Sequence, residues 1–129
     1  MNPFKPLLLI ALLLMGGCSA ITSHQAELNL KNKIGFDLQS LDKDGLYGVS
    51  DGKRALSYEF CIPADVDVVR QVMDIDPSLI IYRQTKGRSG CTDKQYLAMG
   101  DTFQKDYRTT LQQLVNLKYV TRIVEVYFE

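Results

Sequence analysis

From Gly52 onward the chain alternates between two hydrophobic periods. Leu56, Tyr58, Phe60 and Ile62 are interleaved with Ala55, Ser57, Glu59 and Cys61, the period of two that marks a half-buried strand. Pro63 stops that strand and suits the first turn of a helix. In the next stretch Val66, Val69, Val72 and Met73 fall three and four apart, with Asp65 and Asp67 near the positive end, which predicts an amphipathic helix. Asp76-Pro77 ends it, and Leu79 to Tyr82 reads as a short strand. A turn-rich basic run, Lys86-Gly87-Arg88-Ser89-Gly90, leads to a third strand over Gln95 to Met99. Asp101-Thr102 opens a second helix, with Asp101 and Gln104 at capping-box spacing and an apolar face of Phe103, Tyr107, Leu111, Leu114 and Val115. Tyr119 to Phe128 reads as a long final strand, apolar on both parities.

The resulting order over residues 53–129, β-α-β-β-α-β, predicts an α+β domain resembling the ferredoxin-like split fold. That fold is one four-stranded antiparallel sheet with two helices on one face. Right-handed crossovers then fix the order of its strands as 4-1-3-2. Tyr58 and Phe60 face the helices in this arrangement, while Ser57, Glu59 and Cys61 face the other way. Ahead of the domain, Ile34, Phe36 and Leu38 alternate with polar residues until Asp42-Lys43-Asp44-Gly45 and Ser50-Asp51-Gly52 interrupt. Leu46 to Val49 reads as a short strand between those breaks. Residues 30–52 are therefore expected as an N-terminal extension packed on the core. Because the final strand is apolar on both sides, the helix-free face wants cover, from Leu30–Val49 or from a second subunit.

The chain's first residues follow a different logic. Leu7 to Met15 are uninterruptedly apolar behind the positive charge of Lys5, the n-region and h-region of an export signal. The stretch is shorter than the roughly 20 residues that span a bilayer. It closes on Met15-Gly16-Gly17-Cys18, which resembles the lipobox of bacterial lipoproteins, with Met15 in the position that usually holds a branched apolar residue. The resemblance implies that residues 1–17 are removed, that Cys18 is acylated, and that residues 18–29 form a polar tether to the membrane. Two or more acyl chains give stable anchoring, at about 0.8 kcal/mol per buried CH₂. Ser19 follows the cysteine, where Asp would signal inner-membrane retention in Gram-negative lipoproteins, so the implied address is the outer membrane facing the periplasm. An ordinary signal cut near Ser19-Ala20 and an uncleaved anchor are the alternatives.

Composition narrows the functional classes. Fifteen Lys and Arg balance fifteen Asp and Glu, and loss of Lys5 with the leader leaves the exported chain with a single excess negative charge. That balance does not suit a general nucleic-acid binder. If Cys18 carries lipid, Cys61 and Cys91 remain as a pair, most simply a disulfide in an oxidising compartment. The loop it closes is worth a nominal ~3–4 kcal/mol of chain entropy. The sheet order brings the two together, since Cys61 ends the first strand where the third begins. Reduced thiols and a metal half-site are the other readings. The only histidine, His24, falls in the tether, so neither a Cys/His metal site nor a His-based triad is expected, and no cofactor is expected.

The most site-like stretch is Arg83 to Lys94, which carries Arg83, Lys86, Arg88 and Lys94 against Asp93. Arg88 and exposed turn amides suit a phosphate, a carboxylate or an acidic partner; a solvated hairpin loop accounts for the same residues. Glu59 and Glu125 are a candidate carboxylate pair on the open sheet face. The seven tyrosines suit a protein interface. The expected function is a non-enzymatic envelope lipoprotein that binds another protein or an envelope component, or itself. The alternative is a thiol/disulfide or small hydrolytic enzyme with its site near Cys61, Arg88 and Cys91.

Overall fold

The computed structural model describes residues 18–128, with the side chains of residues 18–22 left undescribed. The leader read as an export signal, residues 1–17, lies outside the described residues. The elements in order are helix α1 (Cys18–Lys33), a 3-10 turn (Leu38–Ser40), strands β1 (Leu46–Tyr47), β2 (Arg54–Ala55) and β3 (Ser57–Pro63), helix α2 (Val66–Ile75), strands β4 (Ile80–Tyr82) and β5 (Gln95–Asp101), helix α3 (Tyr107–Val115) and strand β6 (Val124–Val126). Four strands form one antiparallel sheet in the order β4-β5-β3-β6, the order expected from the sequence.

The period-two reading of β3 holds at side-chain level. Tyr58, Phe60 and Ile62 are fully buried on the helix side, against Val72 of α2 and Leu111, Leu114 and Val115 of α3. α2 starts three residues after Pro63, where the Asp65 side chain accepts from the amides of Asp67 (2.8 Å) and Val68 (3.2 Å). An N-cap of this kind satisfies donors that the helix itself cannot. Its buried face is Val72, backed by Val68, Val69 and Ile75; Val66 and Met73 are exposed, contrary to the spacing argument.

α3 begins later than expected. Asp101 and Gln104 do not form a capping box. Asp101 accepts from the Phe103 amide at 2.8 Å, the Gln104 side chain donates to the Asp101 carbonyl at 2.8 Å, and the segment turns before Tyr107 starts the helix. Phe103 is therefore outside the core and exposed. The final strand is also shorter than expected. Val120 is buried in irregular chain, Ile123 is buried in an isolated bridge to Ile34, and only Val124–Val126 pair with β3.

The region before β3 differs most from expectation. Residues 19–29, read as a polar linker, belong to α1. The segment from Ser19 to Lys33 contains no Gly or Pro and is rich in helix formers. Ala26 and Leu30, with Ile34 just past the helix, recur every fourth position. α1 packs beside α3, where Lys33 Nζ donates to the carbonyls of Val115 (2.7 Å) and Leu117 (3.3 Å) at the negative end of that helix. Burial lowers the pKa of Lys33.

The extension does not cover the open sheet face. Leu41 joins the buried core on the helix side, Phe36 stacks on Tyr58 at 6.5 Å between centroids, and Ile34 bridges Ile123. The 42–53 hairpin is held by Asp42, which accepts from the amides of Asp44 (2.9 Å) and Leu46 (3.0 Å) and from Lys53 Nζ (2.8 Å). That last bond, with the amide bonds, lowers the Asp42 pKa to about 2.

Candidate functional site: a braced loop on the open face

Strand register puts Ser57, Glu59 and Cys61 of β3 on the helix-free face, beside Met99 and Leu97 of β5 and Val124 of β6. What crosses that face is the loop after β4. Cys91 is buried and joined to Cys61 through a disulfide, with Cα atoms 5.5 Å apart and a sequence separation of 30. The pairing expected from sheet order is thus present.

Ahead of the disulfide, the loop closes on Glu59. The backbone amides of Arg88 (3.1 Å) and Ser89 (3.4 Å) and the Ser89 hydroxyl (3.3 Å) all donate to the Glu59 carboxyl group. Only 1% of Glu59 is exposed. Gly87 lies directly above it. With φ at +62°, a Cβ there would sit well inside contact distance of Glu59 Oε2 and 2.8 Å from both Leu97 methyls. Gly90, at φ +67°, has no such neighbours. The first glycine is required by shape and the second by backbone conformation.

The turn amides expected to bind an external anion are therefore occupied. The loop forms the kind of cluster of amides that captures a carboxylate or phosphate, and the carboxyl group it holds belongs to its own chain. Sequence reasoning places Glu59 on the open face but pairs it with Glu125 as a hydrolytic couple. That pairing fails on register: Glu125 lies opposite Tyr58 and Val124 opposite Glu59, so the two acids point to opposite faces.

The four cations of the stretch do not converge. Arg83 stacks over Tyr96 at 5.5 Å, a residue paired with Ile62 on the helix side. Arg88 stacks over Tyr127 at 5.1 Å and donates to its carbonyl at 3.4 Å, beyond β6. Tyr96 lies beside the end of β3 and Tyr127 beyond its start, so the two guanidinium groups stand at opposite ends of the sheet. Arg83 and Lys86 do share a cleft of about 260 Å³, together with Asp93, Thr85 and Thr92. Lys94 contributes its carbonyl to the Ala64 amide (2.9 Å) and does not line that cleft.

A second polar cluster, missed in the sequence, lies inside the helix-side core. Asp76 is fully buried. It accepts from the Tyr58 hydroxyl, from the Ser78 hydroxyl (2.6 Å) and amide (3.0 Å), and from Gln104 Nε2 (3.2 Å). Burial, followed by the adjacent Asp76, pushes the Tyr58 pKa up. The available signal was Asp76-Pro77-Ser78, a turn sequence in which the Asp side chain bonds two residues on, with a tyrosine in the neighbouring strand. Donors from β3, the 76–78 turn and the 102–106 turn meet at Asp76, so the cluster ties the two ends of α2 and α3 to the sheet.

Among the described residues, no group of three or more His, Cys, Asp or Glu is placed to hold a metal, and no helix is long and apolar enough to cross a membrane. No protein-family model, curated protein or solved structure matches the chain.

Proposed function

We propose that this chain is a bacterial lipoprotein, trimmed to an acylated Cys18 and held at the periplasmic side of the outer membrane. Its ferredoxin-like split domain serves as a non-enzymatic binding module for another envelope protein. The observation that carries the binding reading is the Glu59 brace. With the loop's amides satisfied from below and Cys91 fixed to Cys61, the loop keeps its shape without a ligand. A surface ordered in advance loses little entropy on binding. It presents Arg88 stacked on Tyr127, the residue types that anchor protein interfaces. The disulfide suits an oxidising envelope, and Cys18 is left as the cysteine outside it.

The test is recovery from detergent-solubilised envelope with the native lipidated protein and with Arg88→Ala. A defined partner recovered with the native chain and lost with Arg88→Ala supports the reading. Equal recovery with both chains, or none with either, removes the loop from it.

A second reading, thiol–disulfide exchange, is favoured by one specific observation. Glu59 is a buried acid two residues before Cys61 on the same face of β3 as the disulfide. Burial of Cys91 opposes it, because exchange needs an accessible sulfur. Equilibration in glutathione buffers separates the two readings: reduction at the potentials of catalytic dithiols supports exchange, and resistance to reduction supports a structural disulfide.

A further inference from the structure

We infer that one end of the domain rests directly on the bilayer, with Val49, Phe103 and Phe128 seated in the lipid headgroup region and Tyr127, under Arg88, at the edge of the contact. This rests on the reading that Cys18 carries lipid.

Strand register brings these residues together. Asp101 and Val126 both lie opposite Ser57, and the Thr102 amide donates to the Leu56 carbonyl at 3.0 Å. Phe103, Tyr127 and Phe128 therefore emerge at the end of the sheet where β3 begins. The β1–β2 hairpin projects past the same end, because β2 leads into β3, and its turn carries Val49. The four side chains are 70%, 68%, 60% and 74% exposed. Val66, also exposed, lies at the far end, beyond the close of β3.

The direction of α1 supplies the occupant. Gln112 Nε2 donates to the Ala26 carbonyl (2.7 Å), Asn29 donates to the Asn116 side chain (3.3 Å), and Lys33 reaches Val115 and Leu117. Rising positions in α1 meet rising positions in α3, so the helices run side by side in the same direction. Cys18 precedes Ala26 by about 12 Å of helix and Tyr107 precedes Gln112 by about 8 Å. The first turn of α1 thus reaches the level of the exposed aromatics. A flexible spacer would have held the domain off the membrane. A helix that starts at Cys18 holds this end against it.

The contact rests on apolar and aromatic side chains. Of the cations at this end, Lys53 is paired with Asp42 at 2.8 Å and Arg88 lies over the Tyr127 ring at 5.1 Å. Phenylalanine is among the residues that enter the headgroup–acyl boundary, and tyrosine among those that sit at the headgroup level.

The native chain contains no tryptophan, so single Phe103→Trp, Phe128→Trp and Val66→Trp variants give clean reporters. Each lipidated full chain is reconstituted in phosphatidylethanolamine/phosphatidylglycerol vesicles, with lipids brominated near the headgroup as quencher. Melting curves verify that each variant keeps its fold, and mass spectrometry of the same samples reports the lipid on Cys18. The expected result is more than twofold quenching at positions 103 and 128, unchanged in high salt, and none at position 66. With lipid present, unquenched tryptophans at 103 and 128, or equal quenching at 66, overturn the orientation alone. Absence of lipid on Cys18 overturns both the orientation and the reading beneath it.

Discussion

Gly87→Ala and Gly90→Ala form a matched pair. Both glycines have left-handed backbone, at φ +62° and +67°, so each alanine meets the same backbone penalty of about 1–2 kcal/mol. Only at position 87 does the new methyl group meet Glu59 and the Leu97 methyls. Making room for it adds about 1–3 kcal/mol of overpacking. Lifting the loop also stretches the bonds from Arg88 and Ser89 to Glu59, at about 1–3 kcal/mol for a buried acceptor left short of donors. The expected cost is roughly 3–8 kcal/mol for Gly87→Ala against about 1–2 for Gly90→Ala. A gap of about 2 kcal/mol corresponds to a melting-temperature difference on the order of 10 °C for a domain of this size. Urea titration of both variants and of the native chain, all kept oxidised, measures it. Adding Glu59→Ala to each glycine variant gives a thermodynamic cycle, in which some of the Gly87→Ala penalty disappears and the Gly90→Ala penalty does not. Equal destabilisation by the two alanines would refute the Glu59 brace.

Other regions of the structure give three further expectations. Replacing Cys61 and Cys91 together by alanine is expected to lower stability by about 3–4 kcal/mol, from the entropy of the loop released, read as a shift in urea midpoint that reductant reproduces in the native chain. Tyr58→Phe removes one donor to the fully buried Asp76 and is expected to cost about 1–3 kcal/mol at neutral pH. Because the Tyr58 pKa is raised in the fold, its contribution is complete below about pH 10 and declines above it as the unfolded chain ionises first; a pH series of urea midpoints is expected to fall less steeply above pH 10 for Tyr58→Phe. For Asp42 the sign is opposite. Its depressed pKa stabilises the fold above the ordinary carboxyl range, and that contribution is lost as pH falls towards about 2, so Asp42→Asn is expected to flatten acid unfolding between about pH 4 and 2.

The fold is legible in the sequence where one period dominates and a neighbour confirms it. β3 alternates cleanly, and its pairing with β5 and β6 follows from chirality, which is why the order of strands alone brings Cys61 to Cys91. Helix boundaries are less legible, because Asp101 and Gln104 satisfy a capping-box spacing while their bonds serve a turn. The polar character of residues 19–29 hides α1: its residues allow a helix, but what holds it is Gln112, Asn116 and the end of α3, partners far away in sequence. The basic loop looks like an anion site for a sound reason: its amides do converge on a carboxyl group. Which carboxyl group is a tertiary fact, set by Glu59 facing the side of the sheet that the loop happens to cross. Asp76 is hidden for a similar reason, with donors drawn from β3, the 76–78 turn and Gln104.

The most direct measurement is the mass of the chain extracted from the envelope of a bacterium that expresses it, with its N-terminal and cysteine-containing peptides mapped. The account predicts a chain that begins at Cys18 with acyl groups attached, and Cys61 joined to Cys91. An unmodified Cys18 in a chain that begins at Met1, or a chain that begins after Ser19 and so lacks Cys18, would contradict it.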